Sequence, residues 1–223
     1  MKAHTSKKTS FAFLLPLYLG LAYIIGILYF ALFTPYMTFT DIFEKLSFIQ
    51  ANQEWLLIIY FLIYVVFGVV LTLFSLSLFK KFSDTLLNRF TLAMGLFWSL
   101  AVIFSGMIYT VGIPYIADLF AQDPSSALLV WQTVELISDS LGGGTEILGG
   151  IWMLCISVLA LREKLFPRFF NYLGLVVGVS GVLSTIPNAE IFQMIFGLTQ
   201  VVWFIWMSKI LCQAMNKSSV KKN

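Results

Sequence analysis

The feature that most constrains this chain is a series of long segments without a charged side chain. The first covers residues 11–33, and its 23 uncharged residues exceed the roughly 20 that a helix needs to cross about 30 Å of hydrocarbon. Only 11% of all residues are charged, against about 25% in a soluble domain. The sequence therefore predicts an all-α integral membrane protein whose main partner is the lipid bilayer.

Polar stretches divide the chain into six expected transmembrane helices. They cover about residues 11–33, 55–79, 90–111, 142–161, 169–186 and 191–212, and together they form a single transmembrane domain, residues 1–223. We expect the first span to be retained, because its apolar run is too long for the core of a cleaved signal peptide. We expect Gly112 and Pro114 to end the third span, because proline inside a helix removes a backbone hydrogen bond.

The basic residues are divided unequally between the two sides of this arrangement. The N-terminal tail, the loops between spans 2 and 3 and between spans 4 and 5, and the C-terminal end hold 13 of the 14 lysines and arginines. The opposite side holds only Lys45. Cytoplasmic loops carry an excess of lysine and arginine, so this distribution predicts that both termini are cytoplasmic.

We expect a short amphipathic helix in each of the two longer outer loops. Ile42, Leu46 and Ile49 share one helical face, a spacing that suits a helix lying on the membrane surface. Further along the chain, Asp123 and Pro124 form a typical helix start, with aspartate as the cap and proline in the first turn.

The most informative stretch covers residues 131–154, WQTVELISDSLGGGTEILGGIWML. The uncharged run behind it, residues 147–161, has only 15 residues, about 22 Å at 1.5 Å per residue. That length is too short to span comfortably, so the fourth span has to include residues that precede it. Glu146 is therefore expected about one turn inside the outer boundary.

The sequence allows two conformations of this stretch. If one helix is continuous, Glu135, Asp139 and Glu146 lie within about 40° of each other on one face and form an acidic stripe. The stretch also contains three consecutive glycines, Gly142, Gly143 and Gly144. If these glycines break the helix, since each costs about 1 kcal/mol of helix preference, a new helix begins at Gly144 or Thr145. Glu146 then lies in its first turn, where the helix dipole favours a carboxylate.

The functional interpretation is a binding site for a cation, a proton or an amine in an outward-facing cavity. Glu135, Asp139 and Glu146 would bind the ligand, with Glu146 deepest and Gln200 of the sixth span adding a neutral oxygen, because ionisable groups inside membranes tend to mark such sites. The competing interpretation is structural: Glu146 reaches the headgroup layer or pairs with a tyrosine hydroxyl, while Gly142, Gly143 and Gly144 let neighbouring spans pack closely. The functional interpretation predicts transport of a small molecule or ion.

A different function is suggested by the fifth span, in which Gly174, Gly178 and Gly181 share one face. Small residues at this spacing let two helices approach closely. Such glycine-lined faces would suit a homo- or hetero-oligomer, and the alternative function is therefore a non-catalytic membrane subunit or sensor that acts by helix–helix association.

Enzymatic, metal and cofactor chemistry finds little support in the residues. The chain has one histidine, His4, and two cysteines without metal-like spacing. It contains no nucleophile elbow, phosphate-binding glycine loop or HExxH motif. We therefore assign no catalytic residue, metal ligand or cofactor. The net charge of +3 does not indicate a nucleic-acid partner.

The run LREKLFPRFFNYLGLVVGVSGVL, residues 161–183, combines a basic turn, Pro167 and a glycine-spaced span that starts at Leu173 and Gly174. With the preceding GGGTEILGGIW, it resembles segments of small uncharacterised bacterial inner-membrane families with six or seven passes, described as domains of unknown function. The resemblance implies a multi-pass protein of the bacterial plasma membrane and carries no catalytic residues.

Overall fold

The computed structural model describes residues 12–35, 39–143, 146–188 and 190–220, and these residues contain helices and no strand. Nine α-helices follow each other along the described part of the chain: α1 (Leu14–Leu28), α2 (Ile42–Ala51), α3 (Gln53–Tyr60), α4 (Phe67–Phe79), α5 (Leu86–Gln122), α6 (Pro124–Ser138), α7 (Ile147–Glu163), α8 (Arg168–Leu183) and α9 (Glu190–Val220). In the same residues, three π-helical segments extend or join them: Tyr29–Phe33, Phe61–Val66 and Asp139–Gly143.

Five segments of the described chain are long and apolar enough to cross a membrane: Leu14–Leu32, Gln53–Phe79, Leu86–Gln122, Glu190–Lys217 and Pro124–Glu163. The last of these comprises α6 and α7 and is not one continuous helix among the described residues. The helix α8 is also apolar, but it has only 16 residues. The protein is therefore an all-helical, membrane-embedded bundle.

The third span does not end where the sequence predicts. Helix α5 runs through Pro114 to Gln122 and has 37 residues, about 56 Å at 1.5 Å per residue. The prediction that Gly112 and Pro114 end it was wrong. The turns around the proline are held by packing, because Ile113 and Ile116 are completely buried against α2, α3 and α6. At Gly112, Val134 of α6 lies close to the position that a Cβ would occupy.

Helix α2 forms in the first outer loop, where a short amphipathic helix is expected, but uses its apolar face differently. The side chain of Asp41 accepts a hydrogen bond from the backbone N–H of Phe43 (2.9 Å) and caps the helix. Leu46 and Ile49 are completely buried. They pack against residues of α5 and α6 in the protein, so this face is covered by the chain itself and does not lie on the membrane surface.

The buried apolar residues form two clusters. The central cluster contains residues of α1, α4, α5, α7, α8 and α9, among them Trp98, Trp152 and Trp203. The second, which we call the α2–α6 cluster, contains residues of α2, α3, α5 and α6, with Trp131 completely buried within it. The long helix α5 contributes to both clusters and so connects them.

The basic turn between α4 and α5 is hydrogen-bonded to the end of α7. The backbone N–H of Ser83 donates to both carboxylate oxygens of Glu163, at 3.1 and 3.2 Å. The first and last helices are joined in a similar way, because the hydroxyl of Ser208 in α9 donates to the carbonyl of Phe13 (2.8 Å). These contacts bring two basic turns together and place the start of α1 beside α9.

The glycine-lined face of α8 packs within the chain. A Cβ on Gly178 would lie 2.8 Å from the backbone nitrogen of Leu154, and one on Gly181 would lie 2.7 Å from the Cα of Gly150. Gly174 faces Ser157 in the same way. Because α7 occupies this face, an oligomer formed through it would have to displace α7.

Candidate functional site

The helix is broken at Gly142, the first residue of the glycine triplet. Gly142 has φ +138°, a left-handed conformation that side-chain-bearing residues rarely adopt. The π-helical segment Asp139–Gly143 ends there, and α7 begins at Ile147, directly after Glu146. The continuous helix, with its single acidic stripe, was therefore the wrong alternative. The predicted caps Gly144 and Thr145 lie outside the described residues.

Glu135 is paired with a residue far away in the sequence. The Nζ atom of Lys45 in α2 lies 2.5 Å from Oε1 of Glu135 in α6, and both side chains are mostly buried (17% and 30% exposed). The same ammonium group lies 5.3 Å from the centroid of the Trp131 ring, within the range of a cation–π contact. The carboxylate of Glu135 therefore fastens α2 to α6.

Asp139 has a partner on α5. Its carboxylate accepts a hydrogen bond from the hydroxyl of Tyr109. The ring of Tyr109 stacks on that of Tyr60, with centroids 4.2 Å apart. Asp139 thus connects the end of α6 to a group of aromatic residues.

Glu146 differs from the other two acids. Its backbone N–H donates to the hydroxyl of Ser184 in α8 (3.0 Å), which in turn donates to the carbonyl of Gly181 (2.7 Å). The residue as a whole is partly exposed, but its Oε2 atom is buried and has no hydrogen-bond partner among the described residues. The carboxylate lies within electrostatic range of the phenols of Tyr23 and Tyr64. It is therefore held by its backbone, while one side-chain oxygen remains available.

Gln200 lies deeper in the bundle than the acids. It is completely buried in α9, and its Nε2 atom is 3.8 Å from the sulfur of Met153 in α7. Its Oε1 atom has no partner in the described part of the chain. Met153 follows Glu146 by seven residues, about 10 Å along a helix, so Gln200 contacts α7 about two turns from Glu146.

Four residues that contact or approach the acids were not predicted: Lys45, Tyr109, Tyr23 and Tyr64. Lys45 had a usable signal, because it is the one basic residue on the acidic side of the sequence. Tyr64 had no comparable signal in the sequence. It lies in the π-helical segment Phe61–Val66. In that segment the hydroxyl of Tyr18 donates to the carbonyl of Leu62 (2.8 Å), and π-helical turns often occur at functional sites.

The acids do not form a group that is suited to a metal ion. Within the described residues, no set of three or more His, Cys, Asp or Glu side chains comes together in a metal-binding arrangement. Near α2, Glu135 is in an ion pair and Asp139 is hydrogen-bonded. Beyond the helix break, Glu146 has one carboxylate oxygen without a partner among the described residues.

A family model described as Domain of unknown function (DUF4386) matches residues 16–208. Neither a curated protein nor a solved structure matches the chain. The matched range includes every acid discussed above, together with Lys45 and Gln200.

Proposed function

Because the chain belongs to the DUF4386 family, a domain of unknown function, we propose its function from the arrangement of its acidic residues. It is a multi-pass membrane protein that transports an ion or a small molecule, and Glu146 binds a proton or a small cation during transport. Glu135 and Asp139 stabilise the entrance to this site.

The buried Oε2 atom of Glu146, which has no hydrogen-bond partner among the described residues, carries this proposal. An ionised carboxylate without a partner in a low-dielectric interior is strongly unfavourable, and ionisable groups inside membranes generally belong to ion or substrate paths. Binding a proton or a cation removes this penalty. The same argument does not apply to Glu135 and Asp139, because Glu135 is paired with Lys45 and Asp139 accepts a hydrogen bond from Tyr109.

The surroundings of Glu146 support access from the α2 end of the bundle. Tyr64 lies within electrostatic range of both Asp139 and Glu146. The helix break at Gly142 lies between them in the sequence. An ion that enters beside Asp139 would therefore pass the phenol of Tyr64 before it reaches Glu146.

We propose six spans with both termini on the cytoplasmic side of a bacterial plasma membrane. The two basic turns that are joined through Ser83 and Glu163 would face the cytoplasm, in agreement with the positive-inside rule. This count adds α8, the fifth span in chain order, to the five longer segments. Its 16 residues give about 24 Å, so it spans the bilayer only with help from the residues that flank it.

Cysteine labelling in intact cells tests this topology. In a background without Cys155 and Cys212, we expect a membrane-impermeant maleimide to label Ser125→Cys and Thr185→Cys but not Ser83→Cys. All three positions are exposed in loops or at helix ends. Labelling of Ser83→Cys without Ser125→Cys would reverse the orientation. Protection of Thr185→Cys in intact cells, with labelling after lysis, would show that α8 does not cross.

Substitution of Glu146 tests the transport site. In proteoliposomes with a trapped pH dye or sodium dye, a negative internal potential should drive proton or sodium entry through the native protein. We expect Glu146→Gln to slow this entry at least about tenfold, because the amide keeps the shape but cannot bind a proton or balance a cation. The matched control is Glu190→Gln, which alters an exposed carboxylate at the start of α9.

Comparison of Glu146→Gln with Glu190→Gln shows whether ion entry depends on Glu146. Entry rates for Glu190→Gln should equal those of the native protein. If Glu146→Gln also retains native rates for both ions, Glu146 is not the transport site and the proposal fails.

A further inference from the structure

Buried polar atoms without partners in the described part of the chain lie in a row along one face of α7, starting at Glu146. Residues 146, 153 and 157 are spaced i, i+7 and i+11 and therefore share this face. Ser157 is 1% exposed, and its hydroxyl has no hydrogen-bond partner among the residues described. From Glu146 to Ser157 the face extends about 16 Å along the helix, roughly half of the hydrocarbon core.

Helix α9 adds two polar groups to the same face. Gln200 approaches it at Met153, and its Oε1 atom is buried and unpaired within the described chain. Trp203 is 1% exposed, and its indole N–H also lacks an acceptor there. The Ser157 hydroxyl oxygen and the Trp203 Nε1 atom both lie within 3.1 Å of the point that a Cβ would occupy on Gly174.

Helix α5 contributes a further donor near the top of the row. The ring of Trp98 packs on Gly149, where its Cε2 atom would lie 2.8 Å from an added Cβ. Its Nε1 atom, which is bonded to Cε2, is buried without a partner in the described residues. Gly149 follows Glu146 by three residues, so this donor lies about one helical turn from the carboxylate.

The chemistry of these groups is complementary to water. Two indole N–H groups donate, Gln200 Oε1 accepts and the Ser157 hydroxyl does both. Buried water typically makes about three hydrogen bonds to polar groups that would otherwise be unsatisfied. A buried polar group that stays unpaired lowers the stability of the fold, so bound water at this face would be favourable.

We infer that the face between α7 and α9 binds a short file of water molecules that conducts protons between Glu146 and the cytoplasmic half of the bundle. The inference rests on the proposed function and takes the proton as the ion. The carboxyl group of Glu146 releases its proton to the first water, and each water that accepts a proton on its oxygen passes another to the next. No oxidant or further reactant is needed. Ser157, Gln200 and the two indoles position the waters.

The test compares apolar substitutions in proteoliposomes with a trapped pH dye. We expect Gln200→Leu to slow proton entry about tenfold, because it removes the acceptor in the middle of the file. Ser157→Ala should have a similar effect. The matched control is Thr199→Val on the same helix, since the hydroxyl of Thr199 already donates to the carbonyl of Ile195 (2.6 Å). Proton entry through Thr199→Val should equal that through the native protein.

Radiolytic hydroxyl labelling, which oxidises side chains beside bound water, provides a second readout. In the native protein we expect oxidation of Met153 despite its complete burial, and a loss of that oxidation in Gln200→Leu. Native proton entry in Gln200→Leu, or in Ser157→Ala if the first variant does not fold, would overturn the inference. If those variants conduct normally while Glu146→Gln does not, the water file is refuted and the proposed function stands. If Glu146→Gln conducts normally, the proposed function itself fails.

Discussion

Replacement of Gly150 by alanine is expected to lower the free energy of unfolding by about 3 kcal/mol, at the upper end of the range for overpacked sites. A Cβ at this position would lie 2.6 Å from the nitrogen of Val182, 2.7 Å from the carbonyl carbon of Gly181 and 2.8 Å from the oxygen of Gly178. All three are backbone atoms, which cannot rotate away as a side chain can. Helices α7 and α8 would therefore have to separate.

The matched control for Gly150→Ala is Gly197→Ala in α9, where no heavy atom lies within 4 Å of the added methyl group. Since alanine is preferred over glycine in helices by about 1 kcal/mol, this variant should be as stable as the native protein or slightly more so. Equilibrium unfolding in mixed detergent micelles measures both. Equal stabilities of the two variants would show that α7 and α8 are not in the close contact described here.

Trp131→Ala is expected to lower the free energy of unfolding by about 3–5 kcal/mol, the usual range for removing a large buried aromatic side chain. The side chain is completely buried in the α2–α6 cluster. Its ring lies 6.2 Å from that of Tyr109 and 5.3 Å from the Lys45 ammonium. Its loss would leave a cavity between α2, α5 and α6 and loosen the ion pair that joins α2 to α6.

Trp55→Ala is the control for this prediction, because Trp55 is 66% exposed. Substitutions at exposed positions usually change stability by less than about 0.5 kcal/mol. Unfolding in detergent, followed through the remaining tryptophans, should therefore separate the two variants clearly. A similar decrease in the free energy of unfolding in Trp131→Ala and Trp55→Ala would indicate that Trp131 is not part of a packed cluster.

Helix starts were predictable because capping is a local interaction. The carboxylate of Asp123 accepts hydrogen bonds from the backbone N–H groups of Ser125 and Ser126, and Pro124 occupies the first turn of α6. Asp41 caps α2 in the same manner. In both cases the donor and acceptor are within three residues of each other, so the sequence contains the whole interaction.

The errors occurred where distant residues decide the outcome. Proline ends many helices, but here α2, α3 and α6 bury the turns around Pro114 and α5 continues. The apolar face of α2 fits a membrane surface as well as it fits a protein, and only the position of α5 and α6 selects the protein. The glycines of α8 predicted close helix packing without identifying α7 as the helix that approaches.

The sequence by itself determined that this protein is helical and embedded in a membrane, since long uncharged segments have no other stable environment. It also identified the three acids and the glycines that interrupt the helix between them. Only the tertiary structure decided how the acids differ. Lys45 pairs with Glu135 across 90 residues of sequence, Tyr109 binds Asp139, and Glu146 retains a buried oxygen without a partner in the described chain. These pairings depend on which helices pack together, because side-chain partners are selected by distance in space, which no local sequence pattern encodes.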